Sequence, residues 1–271
     1  DTVKGNGVSQ LEANNMKPGE FYKFHSGSIT DELYKKCINE LSSKINQTLN
    51  MNSISLELKL ENYNQSKSII SNSEKKESLI KEYSDSLLKE ARKNNEIIAL
   101  DGDLILDTGL IPFEKEFPNR FFECGIAEQD MVSQAGTLAL EGFLPIVHSF
   151  ASFLSTRPNE QIYNNSTENS KIIYVGSLAG ILPGGPGHSH QSVRDIASLS
   201  GIPNLKIIQP SCPKEVSMIL NSCINDLKDS SYIRLSSIPI EIPFSLPEEY
   251  KIEKGKGTTI AEGRDVLVFS Y

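Results

Sequence analysis

In the first third of the chain, apolar residues recur at every fourth position in two segments. The apolar positions are Leu33, Cys37, Leu41, Ile45 and Leu49 in the first, and Leu79, Tyr83, Leu87 and Ala91 in the second. The first segment predicts an amphipathic helix from Asp31 that Asp31 or Thr30 would cap, and the second, residues 73–95, predicts another amphipathic helix. Residues 51–73 are rich in Asn, Ser and Lys, which predicts a polar linker.

From residue 96 the pattern changes to short, continuous apolar runs that alternate with helical segments. Six runs are typical of buried strands: residues 96–104, 121–125, 144–150, 171–177, 205–210 and 231–236. Helices are predicted between them over residues 127–142, 153–165 and 213–226. This alternation predicts an α/β fold, a parallel sheet with helices on both faces. Because such sheets bind ligands at the carboxyl ends of their strands, candidate chemistry is expected in the loops there.

Charge and cysteine content narrow the function classes. A formal net charge of -8 disfavours a nucleic-acid-binding protein, because phosphate recognition needs a basic surface. The four cysteines have neither metal-ligand spacing nor the density of a disulfide scaffold, so we expect free thiols in a reducing compartment. No apolar run is long enough to span a bilayer. We therefore expect a cytoplasmic protein without membrane contact whose partner is a small molecule or another protein.

Glu128 follows the strand-like run "RFFECG" at the start of a predicted helix. The helix dipole favours an acidic residue in a first turn, so its position is consistent with a helix opener as well as with a ligand-binding group. Its neighbours, "GIA" and "DMVSQAG", are small or apolar, and an ionised carboxylate in such surroundings needs a hydrogen-bond donor. Glu128 is therefore a candidate ligand-binding carboxylate.

Two aromatic residues and an arginine follow the strand "LPIVHSF". Phe150 and Phe153 either belong to the core or form a platform for a flat heterocycle at the end of the strand. Arg157, close behind them, either lies on the surface or binds a phosphate or carboxylate.

Histidines mark two further segments. The loop "GILPGGPGHSHQSVRDI" is rich in Gly and Pro and holds His188 and His190. Since no third ligand stands at a suitable spacing, we expect no metal site there, and proton transfer or hydrogen bonding to a polar substrate is favoured. His25 stands alone in "YKFHSGS".

Taken in order, these motifs resemble the transketolase family of thiamine-diphosphate enzymes. The runs "RFFECGIAEQ", "FASFLSTRPNEQI", "GPGHSHQSVRDI" and "IPNLKIIQPSCPKEV" are similar to the pyrimidine-binding domain of transketolase and of deoxyxylulose-phosphate synthase. The resemblance covers residues 96–234. It implies the thiamine-diphosphate-binding fold, with a pyrimidine domain at 74–238 and a linker at 51–73. Residues 1–50 are similar to the tail of a diphosphate-binding domain, and 239–271 to a linker and the start of a C-terminal domain, as in a fragment or split subunit.

The resemblance implies a role for Glu128. In the family this glutamate hydrogen-bonds the aminopyrimidine ring of thiamine diphosphate and promotes the imino form that deprotonates the thiazolium carbon. That carbon attacks a ketose carbonyl, and the cofactor then stabilises the resulting carbanion. Phe150 and Phe153 match aromatic residues that pack against the pyrimidine, and Asp103 matches an aspartate near the cofactor.

The resemblance also implies substrate-binding residues. His190 matches a histidine near the reacting oxygens of the substrate, and His25 is similar to one at the substrate channel. Arg157 falls where the synthase branch carries an arginine that contacts substrate. His188, two residues before His190, is a further candidate for substrate binding.

Three departures from the family pattern limit this comparison. Pro186 stands where transketolases usually hold an aspartate that contacts a sugar hydroxyl, and Gln209 where they usually hold a phosphate-binding arginine. The Gly-Asp-Gly motif with a downstream Asn is missing, and "LDGDL" at 100–104 lies in the wrong domain to replace it. We therefore expect Mg²⁺ and the diphosphate to be held mainly by another half of the assembly, either in a homodimer or in a heteromer with a diphosphate-binding subunit.

The expected function is part of a transketolase-like enzyme of carbohydrate metabolism that transfers a two-carbon ketol unit between sugar-type substrates. One alternative is a deoxyxylulose-phosphate synthase-like activity or an oxidative decarboxylase subunit, and Arg157 together with "FHSG" is consistent with the synthase. A second alternative is a non-catalytic dimerisation module. The presence of Glu128, Phe153 and His190 in one chain argues against that reading.

Overall fold

A computed structural model describes residues 5–12, 22–24, 29–59, 76–253 and 255–269. The chain divides into two compact units, Asp1–Asn72 and Ser73–Tyr271. His25 and the linker positions from residue 60 onward lie outside the described residues.

The first unit contains helix α1, Asp31–Met51. The side chain of Thr30 caps this helix, since its Oγ1 accepts a hydrogen bond from the backbone N–H of Leu33 at 3.3 Å. Cys37 is buried, whereas Ile45 of the same predicted stripe is exposed. The predicted helix is confirmed, and part of its apolar stripe remains open to solvent.

The second unit is built on a six-stranded sheet in which every neighbouring pair is parallel. In chain order the strands are β1 Ile97–Asp101, β2 Phe121–Glu123, β3 Leu144–Phe150, β4 Ile173–Ser177, β5 Leu205–Ile208 and β6 Ser230–Arg234. Across the sheet the order is β2-β1-β3-β4-β6-β5. The four inner strands are buried along their whole length, as predicted. β2 and β5 lie at the two edges of the sheet, where no strand covers their outer side, and their residues are half-buried or exposed. The prediction of buried strands is therefore wrong for these two.

Helices cover both faces of this sheet, which confirms the predicted α/β architecture. They are α2 Leu79–Ala91, α3 Ile105–Thr108, α4 Ile111–Glu116, α5 Glu128–Leu140, α6 Ala151–Leu154, α7 Asn159–Thr167, α8 Asp195–Leu199 and α9 Pro213–Asn225, with a short 3-10 helix at Pro118–Arg120. Residues of α2 and α9 form one apolar cluster with the sheet, and residues of α5, α6 and α7 form another. Burial of these two clusters is the main force that holds the layers together.

The helix predicted over residues 153–165 is wrong, because the structure holds two helices there. α6 ends at Leu154, α7 begins at Asn159, and a turn separates them. Pro158 lies in this turn, where it lacks the N–H that a continuous helix would need and disfavours helical geometry at Arg157. The break therefore places Arg157 in a turn instead of within a helix.

The chain changes direction in the sheet between β1 and β3. From β1 it moves outward to β2, then crosses back over β1 to form β3 on the other side. In open parallel sheets the carboxyl ends of the two strands at such a switch point flank a crevice in which ligands bind. Here the two strands end at Asp101 and Phe150.

His148 connects β3 to its neighbours inside the unit. Its Nδ1 lies 3.1 Å from the carbonyl oxygen of Leu100, and its Nε2 lies 2.6 Å from the hydroxyl of Tyr83 on α2. Since the carbonyl oxygen can only accept, Nδ1 donates to it, and in the neutral ring that burial favours, Nε2 accepts from the tyrosine hydroxyl. Complete burial lowers the pKa of His148 to about 4.

Candidate active site

Glu128 is the first residue of α5, at the corner that follows β2. Gly125 opens this corner with a φ of 68°, a left-handed conformation that glycine adopts at little cost. Although Glu128 lies in the first turn of its helix, only 3% of its surface is exposed. Its Oε1 accepts a hydrogen bond from Nη1 of Arg157 at 2.5 Å. The carboxylate is thus buried in an ion pair instead of acting as a solvated helix opener.

Arg157 approaches this carboxylate from the turn between α6 and α7. Its Cζ lies 3.9 Å from the centre of the Phe153 ring, at a distance typical of a guanidinium on an aromatic face. The side chain is 39% exposed while its partner is almost completely buried. Arg157 therefore bridges the buried carboxylate, the aromatic ring and the solvent.

Phe150, Phe153 and His190 form a compact cluster of rings. Ring centres lie 5.6 Å apart for Phe150 and Phe153, 5.6 Å for Phe150 and His190, and 5.1 Å for Phe153 and His190. Phe150 is buried at the end of β3, whereas Phe153 is half-buried. The cluster brings together three of the residues that the sequence predicts as site residues, and Arg157 links it to Glu128.

The loop that carries His190 is held closed at its base. Gly180 and Ser192 exchange backbone hydrogen bonds of 3.0 and 2.8 Å, and Gln191 donates to the carbonyl of Ile181 at 2.7 Å. Ser189 Oγ lies 2.9 Å from Nδ1 of His190, which orients the imidazole. His188 is exposed, and among the described residues it makes no ring contact with the aromatic cluster.

A buried ion pair anchors the far end of this loop. Arg234, at the end of β6, donates from Nε and Nη2 to the two carboxylate oxygens of Asp195, at 2.6 and 3.0 Å. Tyr232 also donates to Asp195, at 2.9 Å, and Arg234 donates to Oε1 of Gln209. Gln209 therefore contributes to the support of α8. The sequence analysis did not identify Asp195 or Arg234 as site residues. The available signal for a buried ion pair is Arg234 itself, a charged residue within a predicted buried strand.

Two aspartates near the end of β1 have different environments. Asp101 is fully buried, and its oxygens accept hydrogen bonds from the N–H of Leu104 at 2.6 Å and the hydroxyl of Thr108 at 2.8 Å. Burial raises the pKa of Asp101 to about 7. Asp103, the predicted site residue, is exposed and lies in a left-handed conformation with a φ of 61°.

Glu123 joins the turn after β1 to the corner before Glu128 by hydrogen bonds. Its Oε1 accepts from the backbone N–H groups of Asp103 and Gly125, each at 2.8 Å. Cys124 lies between several acidic groups, and burial together with these charges raises the pKa of its thiol to about 11. The structure therefore holds the β1 and β2 loops together beside Glu128, with the side chain of Asp103 turned toward solvent.

Within the described ranges, no group of three or more His, Cys, Asp or Glu side chains is placed to hold a metal ion. The same part of the chain has no helix that is both long enough and apolar enough to cross a membrane. The chemistry offered by the site is that of a buried carboxylate beside a cluster of rings, which suits a flat, nitrogen-containing heterocycle that can both stack and donate a hydrogen bond.

The sequence of this unit matches a known family. Residues 76–239 match the family described as transketolase, pyrimidine binding domain. Every described element of the sheet lies inside this range.

Curated relatives extend the match over about two thirds of the chain. A protein of Methanocaldococcus jannaschii, named as a transketolase C-terminal section, is 34% identical over 191 residues, which are 70% of this chain and 60% of that protein. A 1-deoxy-D-xylulose-5-phosphate synthase of Natranaerobius thermophilus is 34% identical over 182 residues, which are 67% of this chain and 26% of the synthase. The chain thus spans less than two thirds of these relatives.

Solved structures share the fold. One is described as a split gene transketolase in an inactive β4 tetramer, with a TM-score of 0.58 at 29% identity, covering 68% of this chain and 59% of that one. A transketolase from Leishmania mexicana has the same TM-score at 19% identity and covers 78% of this chain and 32% of its own, which supports the fold alone.

Proposed function

The chain belongs to the transketolase family, and from this premise we propose that it provides the pyrimidine-binding half of a thiamine-diphosphate-dependent enzyme. The proposed reaction transfers a two-carbon ketol unit between sugar-type substrates. The observation that carries this proposal is the burial of Glu128 at a strand-to-helix corner, joined through Arg157 to the cluster of Phe150, Phe153 and His190.

The donor set of the site fits the aminopyrimidine ring of this cofactor. Glu128 offers a buried carboxylate that can accept a hydrogen bond from, and share a proton with, a ring nitrogen. Phe153 offers an aromatic face close to this carboxylate, since the guanidinium of Arg157 contacts both side chains. When bound, thiamine diphosphate supplies a thiazolium carbon that adds to carbonyl compounds and stabilises the carbanion that results.

The remaining roles follow from position. Glu128 holds the ring in the protonation state that the reaction needs, and Phe150 and Phe153 orient its plane and exclude water. His190, oriented by Ser189, donates a hydrogen bond to an oxygen of the substrate. We further propose that His188 binds substrate and that Asp103 lies near the cofactor, because both are exposed on loops around the crevice. The same substrate-binding role is proposed for His25 on resemblance alone.

We assign Mg²⁺ and the diphosphate to a second half of the assembly. This assignment rests on the family resemblance, since the Gly-Asp-Gly motif with a downstream Asn that holds them in the family is missing from the sequence, and one solved structure at 29% identity is described as a split gene transketolase. That half is either a diphosphate-binding segment of a longer chain that forms a homodimer or a separate diphosphate-binding subunit in a heteromer. The assembly is proposed to be cytoplasmic and to act on small molecules.

A deoxyxylulose-phosphate synthase-like reaction is the second candidate. A cation at Arg157, directly beside the proposed ring site, suits a donor that carries a carboxylate, such as pyruvate. The 34% identity to the Natranaerobius thermophilus synthase is consistent with this candidate.

The test measures turnover of the completed assembly, reconstituted with its diphosphate-binding half. Glu128→Gln should lower turnover at least a hundredfold while the far-ultraviolet circular dichroism stays unchanged, because the amide cannot share a ring proton. Glu141→Gln, at the exposed end of the same helix, is the matched control and should stay at the wild-type rate. A Glu128→Gln enzyme of near wild-type rate would exclude the proposal. Consumption of a ketose donor supports the transketolase reaction, and consumption of pyruvate supports the synthase.

A further inference from the structure

The guanidinium of Arg157 lies where the proposed ring would have to bind. It donates to Oε1 of Glu128 at 2.5 Å and lies 3.9 Å above the centre of the Phe153 ring. These are the two surfaces that the proposed function assigns to the aminopyrimidine, the hydrogen-bonding carboxylate and an aromatic face. A ring and a guanidinium cannot use the same carboxylate oxygen and the same face of Phe153 at once.

Glu128 has a physical reason to be paired with Arg157. A carboxylate that is 3% exposed loses most of its hydration, and leaving it without a donor is costly. Arg157 supplies that donor from a side chain that is itself 39% exposed. Since its long stem can pack along the surface while its charged end returns to water, the arginine can leave at a modest cost once another donor replaces it.

We propose that Arg157 is a displaceable placeholder: it pairs with Glu128 and covers Phe153 in the free chain, and the aminopyrimidine ring takes its place on binding. This inference rests on the proposed function, because it takes Glu128 and Phe153 as the ring site. It adds that the ring competes with a residue of the chain itself. Arg157 then becomes free at the edge of the bound ring.

The placeholder lowers the apparent affinity for the ring. A ligand that binds only the open form has its apparent affinity reduced by the fraction of chains that are open. A charged pair with a buried carboxylate keeps that fraction at about one tenth or less. Removal of the guanidinium should therefore strengthen ring binding about tenfold or more.

The experiment titrates the full chain with thiamine, which carries the ring but no diphosphate, so that binding does not depend on the missing half. Affinity is measured by calorimetry and by ligand-observed NMR for wild type, Arg157→Met and Arg157→Lys. Methionine keeps an unbranched apolar stem against Phe153 and removes the guanidinium, and lysine keeps the charge without the planar group. Arg92→Met is the matched control, because Arg92 makes an exposed two-bond pair with Glu116 on α4.

Arg157→Met should bind thiamine about tenfold more tightly than wild type. The affinity of Arg157→Lys should lie between these two, and that of Arg92→Met should equal the wild-type value. In ¹⁵N-arginine spectra of the wild type, the Arg157 side-chain signal should change on thiamine binding while the Arg92 signal stays fixed. If Arg157→Met does not fold, the lysine variant and the arginine spectra still provide the test.

Equal or weaker binding by folded Arg157→Met, with measurable binding by wild type, would overturn the placeholder and leave the proposed function standing. An Arg157 signal that is unchanged at thiamine saturation would overturn it in the same way. If neither wild type nor the Arg157 variants bind thiamine at all, the ring site itself is refuted and the placeholder with it. Binding by Arg157→Met alone would support the placeholder in its strongest form.

Discussion

Two buried titratable groups on adjacent strands should give this protein opposing responses to pH. Asp101 of β1 and His148 of β3 are partners in the parallel register, and both are fully buried. Burial raises the pKa of Asp101 from 3.8 to about 7 and lowers the pKa of His148 from 6.5 to about 4. Each group is therefore held in its neutral form over a wide range of pH in the folded state.

The signs of the two effects follow from proton linkage. Between pH 6.5 and 4 the unfolded chain binds one more proton at His148 than the folded chain, so this residue's contribution to stability is lost as pH falls. Between pH 3.8 and 7 the folded chain binds one more proton at Asp101, so that contribution is lost as pH rises. At about 1.4 kcal/mol per pKa unit, the full effects are about 3 kcal/mol for His148 and about 4 kcal/mol for Asp101.

In the wild type the two slopes should nearly cancel between pH 4.5 and 6.5, and single substitutions should reveal each of them. His148→Gln keeps a neutral hydrogen-bonding group and should leave a protein whose free energy of unfolding falls with rising pH by about 1.4 kcal/mol per unit. Asp101→Asn should leave one whose free energy of unfolding rises by a similar amount. The assay is urea unfolding followed by circular dichroism at half-unit steps of pH.

The control for this prediction is the double variant, which should again show a nearly flat profile. Wild-type and both single-variant profiles that run parallel would refute the reasoning, because neither buried group would then differ in proton binding between the folded and unfolded chains.

Two further predictions concern packing around the site. Arg234→Met should lower the free energy of unfolding, measured by chemical denaturation, by about 3 to 5 kcal/mol, because it leaves the Asp195 carboxylate buried without its cation. Adding Asp195→Asn should restore part of this loss. An unchanged denaturation midpoint in Arg234→Met would contradict the role of this pair. Gly176→Ala should lower the free energy of unfolding by about 1 to 3 kcal/mol, because the new Cβ would lie 2.5 Å from the Tyr232 hydroxyl and 2.9 Å from Cβ of Ala151. Thermal unfolding should show that Tyr232→Phe restores part of this loss. A Gly176→Ala variant as stable as the wild type would contradict the close approach.

The sheet and the place of Glu128 could be predicted because both follow from local signals. Continuous apolar runs such as β3 and β4 are buried on both faces, so burial is visible in the sequence itself. Glu128 follows the short edge strand β2 at the start of a helix, and the resemblance to a family then implied its role. In each case residues close together in the chain carry the information.

The partners of the site residues could not be predicted, because they come from distant parts of the chain. Arg157 reaches Glu128 across 29 positions, and Arg234 reaches Asp195 across 39. The turn that aims Arg157 arises where Pro158 interrupts a pattern that otherwise favours one helix. Likewise, Asp101 and Asp103 look equivalent in "LDGDL", and the fold makes one of them a buried acceptor of two hydrogen bonds and the other an exposed residue.

The central claim is that Glu128 is the group that binds the aminopyrimidine ring. The most direct test is a calorimetric titration of the full chain with thiamine in the Arg157→Met background, in which no guanidinium competes for the carboxylate. It compares Arg157→Met with the double variants that add Glu128→Gln or the control Glu141→Gln. The account predicts that adding Glu128→Gln weakens thiamine binding at least tenfold, because the ring loses a charged acceptor, while adding Glu141→Gln leaves the affinity unchanged. Equal thiamine affinity in Arg157→Met and in the folded Glu128→Gln double variant would contradict it.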